Sequence, residues 1–198
     1  MIGILLFVSV AFLLGSIPFG IVFTRLFGLK DPRKVGSGNI GATNVLRSSG
    51  NKSIAVLTLI ADIVKGSVVV LLGSQIHDPY DFFFTPELLC GLAAILGHIF
   101  SPFVKFQGGK GVATSLGVFF ALAPYLSFLS LGIFIIITVT TRIVSISSLT
   151  AVIAFPISGY CFNYSLNLIL LSIIIAFLIF FRHKENIVRL LNGVENKF

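Results

Sequence analysis

The sequence predicts an all-α integral membrane protein of about seven transmembrane helices, several of them short, with the N-terminus outside and the C-terminus cytoplasmic. Of its 198 residues 56% are hydrophobic and only 11% are charged, and the mean hydropathy of +1.06 lies far above that of a soluble domain of this length. The apolar residues run in long blocks, not in the period-2 alternation of an outer-membrane barrel, so the spans are expected to be helices. The basic residues gather in loops between these blocks. That is the distribution that orients a membrane protein with its positive loops inside, so the formal charge of +7 calls for no nucleic-acid partner. A single membrane domain, 1–198, absorbs the whole length.

Met1 to Thr24 carries no charge and no basic n-region, and no convincing small-residue cleavage site follows, which favours a retained first helix over a removable signal peptide. The helix ends at Arg25. A polar loop with Lys30, Arg33, Lys34, Arg47 and Lys52 follows and is expected to be cytoplasmic. Ser53 to Gln75 then crosses outward to a segment with His77, Asp78, Pro79, Tyr80 and Asp81 and no Lys or Arg, and Glu87 to Phe103 returns to Lys105 and Lys110.

Val112 to Thr141 is 30 residues without a charge, more than the roughly 20 that one span needs. A single crossing would strand Arg142, Arg182, Lys184, Arg189 and Lys197 outside. Two short crossings broken near Ala123, Pro124 and Tyr125 keep them all inside. Crossings at about Ile146 to Tyr160 and Ser165 to Phe181 complete the seven; five long spans plus re-entrant pieces is the competing count. Tyr80, Tyr125, Tyr160 and Tyr164 all fall at predicted outer ends, where amphipathic rings favour the interface. Cys90 and Cys161 lie in apolar stretches and are expected to be small buried hydrophobes.

This topology brings three polar segments to the cytoplasmic face, joined by the tail from Arg182. In the first, GSGNIGATNVLRSSG, glycines such as Gly38 let backbone N–H groups turn toward one point, while Ser37, Asn39, Thr43, Asn44 and Arg47 add neutral donors and a fixed cation. A solvated turn-rich loop is the bland alternative. The following run looks helical, however, so the donors would stand at a helix N-terminus, which favours an anion site.

In the second segment, GHIFSPFVKFQGGKGVATSLG, the turn Gly108-Gly109-Lys110-Gly111 also opens a helix, and Lys110 supplies a point charge suited to phosphate. It is not a Walker A loop, because Val104 and Gly111 stand where that motif needs a glycine and a Ser or Thr. His98 is open to three roles, a general base, a phosphate donor or a satisfied structural residue.

The third segment holds Arg142, Ser145, Ser147 and Ser148, and the tail sets His183 and Asn186 three apart on one helix face. Asp62 and Lys65, also three apart, lie inside a span and are expected to pair, first as structure and second as support for the loop. No acid pair has the placement of a glycosidase, no His-x-x-x-x-Asp occurs and no Cys/His cluster suggests a metal. An enzyme built this way works without a covalent nucleophile or a charge-relay triad, so its substrate should already be activated.

GSGNIGATNVLRSSG, GHIFSPFVKFQGGKGVATSLG, RIVSISSL and RHKENIVRLL together resemble the signature segments of the bacterial acyl-phosphate:glycerol-3-phosphate acyltransferases, the PlsY family, in the same order across essentially the whole chain. The resemblance implies transfer of a fatty acyl group from acyl phosphate to the sn-1 hydroxyl of glycerol 3-phosphate, giving lysophosphatidic acid and phosphate, the first step of phospholipid synthesis. It implies no covalent acyl-enzyme and no metal or other cofactor. It places the enzyme in the bacterial inner membrane, among lipid, with its site facing the cytoplasm and a functional link to a soluble enzyme that makes acyl phosphate. Carried over by motif, Ser37, Asn39, Arg47, His98 and Lys110 are the expected catalytic positions. Gly38, Thr43, Asn44, Gly108, Gly109, Ser148, His183 and Asn186 join Ser37, Asn39, Arg47 and Lys110 in holding phosphates.

One departure is visible. The resemblance leads us to expect proline three residues after His98, where this chain has Ser101, with Pro102 one later. An acyl phosphate is a mixed anhydride with a good leaving group, so positioning two phosphates and stabilising an oxyanion suffices. The base for the acceptor hydroxyl is His98, His183 or the acceptor's own phosphate, whose second pKa is about 6; we favour the phosphate. The rival functions are a small anion or phosphate-ester transporter, which should carry its site at the midplane between repeats, and a non-catalytic scaffold.

Overall fold

The computed structural model describes residues 2–77 and 82–197. Among them are ten α-helices and no β-strand. Asp78, Pro79, Tyr80 and Asp81 lie outside the described residues, and with them the expected outer acids and one of the four tyrosines. The chain divides into two compact units, Met1–Val118 and Phe119–Phe198.

The first unit opens with α1 (Ile2–Ser16) and α2 (Phe19–Leu26), which bend by 45° where a single helix is expected from the sequence. The cause is Pro18, which lacks an N–H and crowds the preceding turn. The break releases the Ser16 and Ile17 carbonyls from regular helical pairing, and both acquire side-chain donors from elsewhere in the unit. After a 3-10 turn at Pro32–Lys34 comes α3 (Ala42–Ser49), stopped by Gly50 in the left-handed region at φ 67°. Next is α4 (Lys52–Gly73), capped by the Asn51 side chain, which accepts from the Ile54 N–H at 3.1 Å. A further long helix, α5 (Pro86–Ile99), leads through a 3-10 turn at Pro102–Val104 to α6 (Val112–Leu122), within which the boundary between units falls.

Close approach in the first unit depends on small residues. A methyl group on Gly15 would collide with the Ala94 backbone, and one on Gly97 with the Phe12 carbonyl, so α1 and α5 pack backbone to backbone. Gly66 meets the Thr114 carbonyl and Gly117 the Ile63 carbonyl in the same way, joining α4 to α6. Ala11, Val69, Cys90, Ala93 and Ala94 form a buried core. Val56, Ile60, Val64 and Leu71 of α4 point outward while Asp62 and Lys65 are buried, an inversion that suits a helix bordered by lipid.

The second unit contains α7 (Pro124–Thr141), α8 (Val144–Cys161), α9 (Leu166–Arg182) and α10 (Lys184–Leu191). The helix breaks at Ala123, as the charge distribution requires, because Pro124 starts α7. Phe119 stacks on Phe155 with ring centroids 4.0 Å apart, and Leu126, Leu171, Ile175 and Ile179 are buried. The tail bends from α9 to α10 by 64° at His183. Tyr125 and Tyr160 are exposed at the N-terminal end of α7 and the C-terminal end of α8. Cys90 is buried, but Cys161 is exposed, contrary to expectation, because it ends α8 beyond the packed part of the helix.

Among the described residues, four helical segments are long and apolar enough to cross a membrane: Lys52–Gly73, Pro86–Val104, Pro124–Thr141 and Val144–Cys161. If each of the two bent pairs is one span, the number rises to six, and Val112–Leu122 is a shorter apolar helix of 11 residues.

Candidate active site

The second motif folds back on its own helix. The Gly108 N–H donates to the Ile99 carbonyl at 3.1 Å and the Gly109 N–H to the His98 carbonyl at 3.0 Å. These two amides were expected to face a phosphate, yet they anchor the turn to the end of α5. Their need for glycine is steric: a methyl on Gly108 would strike the His98 and Ile99 carbonyls, and one on Gly109 would strike the His98 ring. Gly109 is therefore pressed against the imidazole, and Lys110, next in the chain, is half-buried.

Before that turn, Ser101 is fully buried and its hydroxyl donates to the Ser16 carbonyl at 2.6 Å. This accounts for the departure at that position, since serine supplies a donor that proline lacks. Val104 of the following 3-10 turn packs with Ile21 of α2 and Ile40 of the first motif. The two motifs are thus brought together around the broken first helix.

Within the first motif, Asn44 organises the loop. Its Oδ1 accepts from the Ser37 N–H at 2.9 Å, and its Nδ2 donates to the carbonyls of Pro32 at 2.7 Å, Asn39 at 2.8 Å and Val35 at 3.1 Å. At 2% exposure its amide is wholly engaged, so Asn44 shapes the loop and does not itself reach a ligand here. Asn39 Oδ1 accepts from the Gly41 N–H at 2.9 Å, an Asx turn that leads into α3. Gly41 caps α3 without a side-chain acceptor, so the first-turn amides of Ala42 and Thr43 lie at the open end of the helix, with Arg47 one turn further on. Ser37 and Thr43 are half-buried, Gly38 is exposed, and Arg47 is half-buried. Among the nearby charges, hydrogen bonding from Arg33 holds the Asp31 carboxyl down at about 2, so these two compensate each other.

Behind the second motif lies a buried polar cluster. The Lys65 ammonium stands 2.8 Å from Asp62 Oδ1, donates to the Ile17 carbonyl at 2.9 Å and lies 2.9 Å from His98 Nδ1. All three side chains are at most 7% exposed. The pairing of Asp62 with Lys65 is visible in their spacing, whereas the reach to His98, 33 residues away, is not.

Ser148, His183 and Asn186 belong to the second unit. The Ser148 hydroxyl donates to the Val144 carbonyl at 2.9 Å within its helix. His183 forms the joint between α9 and α10, with Nδ1 2.8 Å from the Ile179 carbonyl; since a carbonyl only accepts, Nδ1 carries the hydrogen. Asn186 Nδ2 donates to Glu195 Oε1 at 2.6 Å, and Glu195 also accepts from Ser145 at 3.0 Å and from Arg189 at 2.7 Å. Burial pushes the Glu195 carboxyl up, but the bonds from Asn186, Arg189 and Ser145 outweigh it and hold the group below the ordinary value. Nothing in the sequence singles out Glu195, which sits in a short polar tail.

Among the described residues no group of three or more His, Cys, Asp or Glu side chains is placed to hold a metal ion. The arrangement offers cations, helix-end amides and an imidazole around glycine-tight turns, a set suited to binding phosphates and an oxyanion.

The chain matches the glycerol-3-phosphate acyltransferase family model over residues 5–193. A glycerol-3-phosphate acyltransferase of Neisseria meningitidis is 43% identical over 190 residues, covering 96% of this chain and 94% of the relative. That of Aromatoleum aromaticum is 45% identical over 195 residues, covering 98% and 95%. Among solved structures, the crystal structure of PlsY (YgiH), an integral membrane glycerol 3-phosphate acyltransferase, in its glycerol 3-phosphate form is 41% identical, with a TM-score of 0.91 over 99% of this chain and 96% of that one. Its lysophosphatidic acid form is 39% identical, with a TM-score of 0.89 over 99% and 95%.

Proposed function

The chain belongs to the glycerol-3-phosphate acyltransferase family, and from that premise we propose that it moves a fatty acyl group from acyl phosphate to the sn-1 hydroxyl of glycerol 3-phosphate, releasing lysophosphatidic acid and phosphate. The observation that carries the proposal is the joining of two glycine-tight motifs through Ile21, Ile40 and Val104, one opening α3 beside Arg47 and the other pressing Gly109 against His98 next to Lys110 in the chain. Two sets of phosphate donors side by side match a reaction whose two substrates each bear a phosphate.

The acceptor hydroxyl attacks the acyl carbon, the carbonyl oxygen gains charge, and the carbon–oxygen bond to phosphate breaks. Arg47, Lys110 and the first-turn amides of α3 hold the phosphates in reach. The departing phosphate needs no covalent acyl-enzyme. The hydroxyl proton passes to a phosphate of the substrates, whose second pKa is about 6. Ser37, Asn39 and Thr43 orient the acceptor from the first motif.

We take residues 1–198 to act as one acyltransferase domain with seven spans, its N-terminus outside and its C-terminus and site on the cytoplasmic side of the bacterial inner membrane. Acyl phosphate then reaches it from a soluble enzyme that makes this reactive anhydride. The PlsY crystal structures named for glycerol 3-phosphate and lysophosphatidic acid support the acceptor and product.

The test uses purified, reconstituted protein with labelled glycerol 3-phosphate and either palmitoyl phosphate or palmitoyl-CoA, beside Lys110→Ala. Lysophosphatidic acid formed only from the phosphate, and lost in the variant, supports the proposal. Product from the CoA ester alone overturns the donor. No product from either donor in folded protein favours an anion transporter.

A further inference from the structure

We propose that Lys65, held by Asp62, is a positioning residue that fixes His98 as a hydrogen-bond donor toward the Gly108-Gly109-Lys110 turn. The catalytic part of this inference rests on the acyltransfer proposed above; the geometry does not.

An ammonium has three N–H donors and no lone pair. The Lys65 ammonium donates to the Ile17 carbonyl at 2.9 Å, is ion-paired with Asp62 Oδ1 at 2.8 Å and stands 2.9 Å from His98 Nδ1. The Phe19 ring, with its centroid 5.6 Å away, covers another side. Asp62 pairs with the lysine in its buried place, and the Ile17 carbonyl is available because Pro18 breaks the helix there. Toward such a donor His98 Nδ1 presents its lone pair. Asp62 Oδ1 lies 3.7 Å from that nitrogen, too far to take a hydrogen from it.

In a neutral imidazole one nitrogen donates and the other accepts. With Nδ1 accepting, the hydrogen sits on Nε2, the atom against which a methyl on Gly109 would fall. His98 therefore offers an N–H at the turn and has no lone pair left for the acceptor hydroxyl. It stabilises negative charge and does not take the proton. His183 has the opposite arrangement, because its Nδ1 donates to the Ile179 carbonyl.

The chain has three histidines, so a nitrogen-15 spectrum of histidine-labelled protein in nanodiscs is assignable by comparison with His98→Gln. The expected result is that His98 shows an unprotonated Nδ1 and a protonated Nε2 in the wild type, with Nδ1–H appearing in Lys65→Met. A wild-type ring protonated at Nδ1 overturns the proposal without recourse to any variant. In turnover assays Lys65→Met should lower kcat by about tenfold or more, yet lower it little further in a His98→Gln background, as expected of two residues acting as a unit. An equal loss in both backgrounds overturns the link. Absence of turnover in the wild type counts against the acyltransfer alone, since the spectrum needs no substrate.

Discussion

The Ser101 hydroxyl donates to the Ser16 carbonyl at 2.6 Å, joining two residues 85 positions apart. It ties the entry of the second motif to the break in the first helix. Ser101→Ala leaves the buried carbonyl without this partner and should destabilise the protein by about 1–3 kcal/mol. Thermal unfolding in detergent measures this, and an unchanged midpoint would show that the bond contributes nothing.

Replacing Arg47 or Lys110 with alanine should nearly abolish turnover, because each removes a cation from the proposed phosphate site; a loss of about 10²-fold or more is expected. His98→Gln should impair the reaction without abolishing it, since in the proposed mechanism the substrates supply the base. Steady-state assays on the three variants rank them. Near-total loss in His98→Gln with little loss in Lys110→Ala would reverse the roles.

Gly108 and Gly109 should differ when changed to alanine. At Gly108 the new methyl meets the backbone carbonyls of His98 and Ile99, which cannot move aside, so stability should fall by about 1–3 kcal/mol. At Gly109 it meets the His98 ring, so kcat should fall more than stability. Unfolding midpoints and turnover measured together separate the two effects.

Glu195 has a folded-state carboxyl held below its ordinary value, so its contribution is fully present above that value and is lost as pH falls through the depressed one. The tail should therefore release on acidification, and Glu195→Gln should weaken it at neutral pH. Hydrogen exchange of the amides around 189–195 at pH 7 and below 4 checks this, with equal protection at both the contrary result.

Cys161 is exposed at the end of α8 and Cys90 is buried. In the seven-span topology a membrane-impermeant maleimide should label Cys161 from outside intact spheroplasts and leave Cys90 unmodified. Labelling only in inside-out vesicles would invert the topology.

Much of this protein was legible in the chain itself. Block lengths and the positions of Arg142, Arg182 and Lys184 led to the break at Ala123, and the glycine runs led to both motifs and to α3 and α6 behind them. What local pattern did not convey was the fate of individual polar atoms. Asn44, Gly108 and Gly109 look like ligand donors in sequence, yet the structure commits their hydrogen bonds to the loops themselves.

The sequence by itself determined the membrane class, the helical character and the two glycine-rich motifs, because hydropathy, charge placement and glycine content act locally. Tertiary structure alone decided that Lys65 reaches His98 across 33 residues and that Glu195 gathers Ser145, Asn186 and Arg189. The physical reason is that a buried polar group must find its partner wherever packing brings one, and that partner's place in the chain is set by how the helices meet.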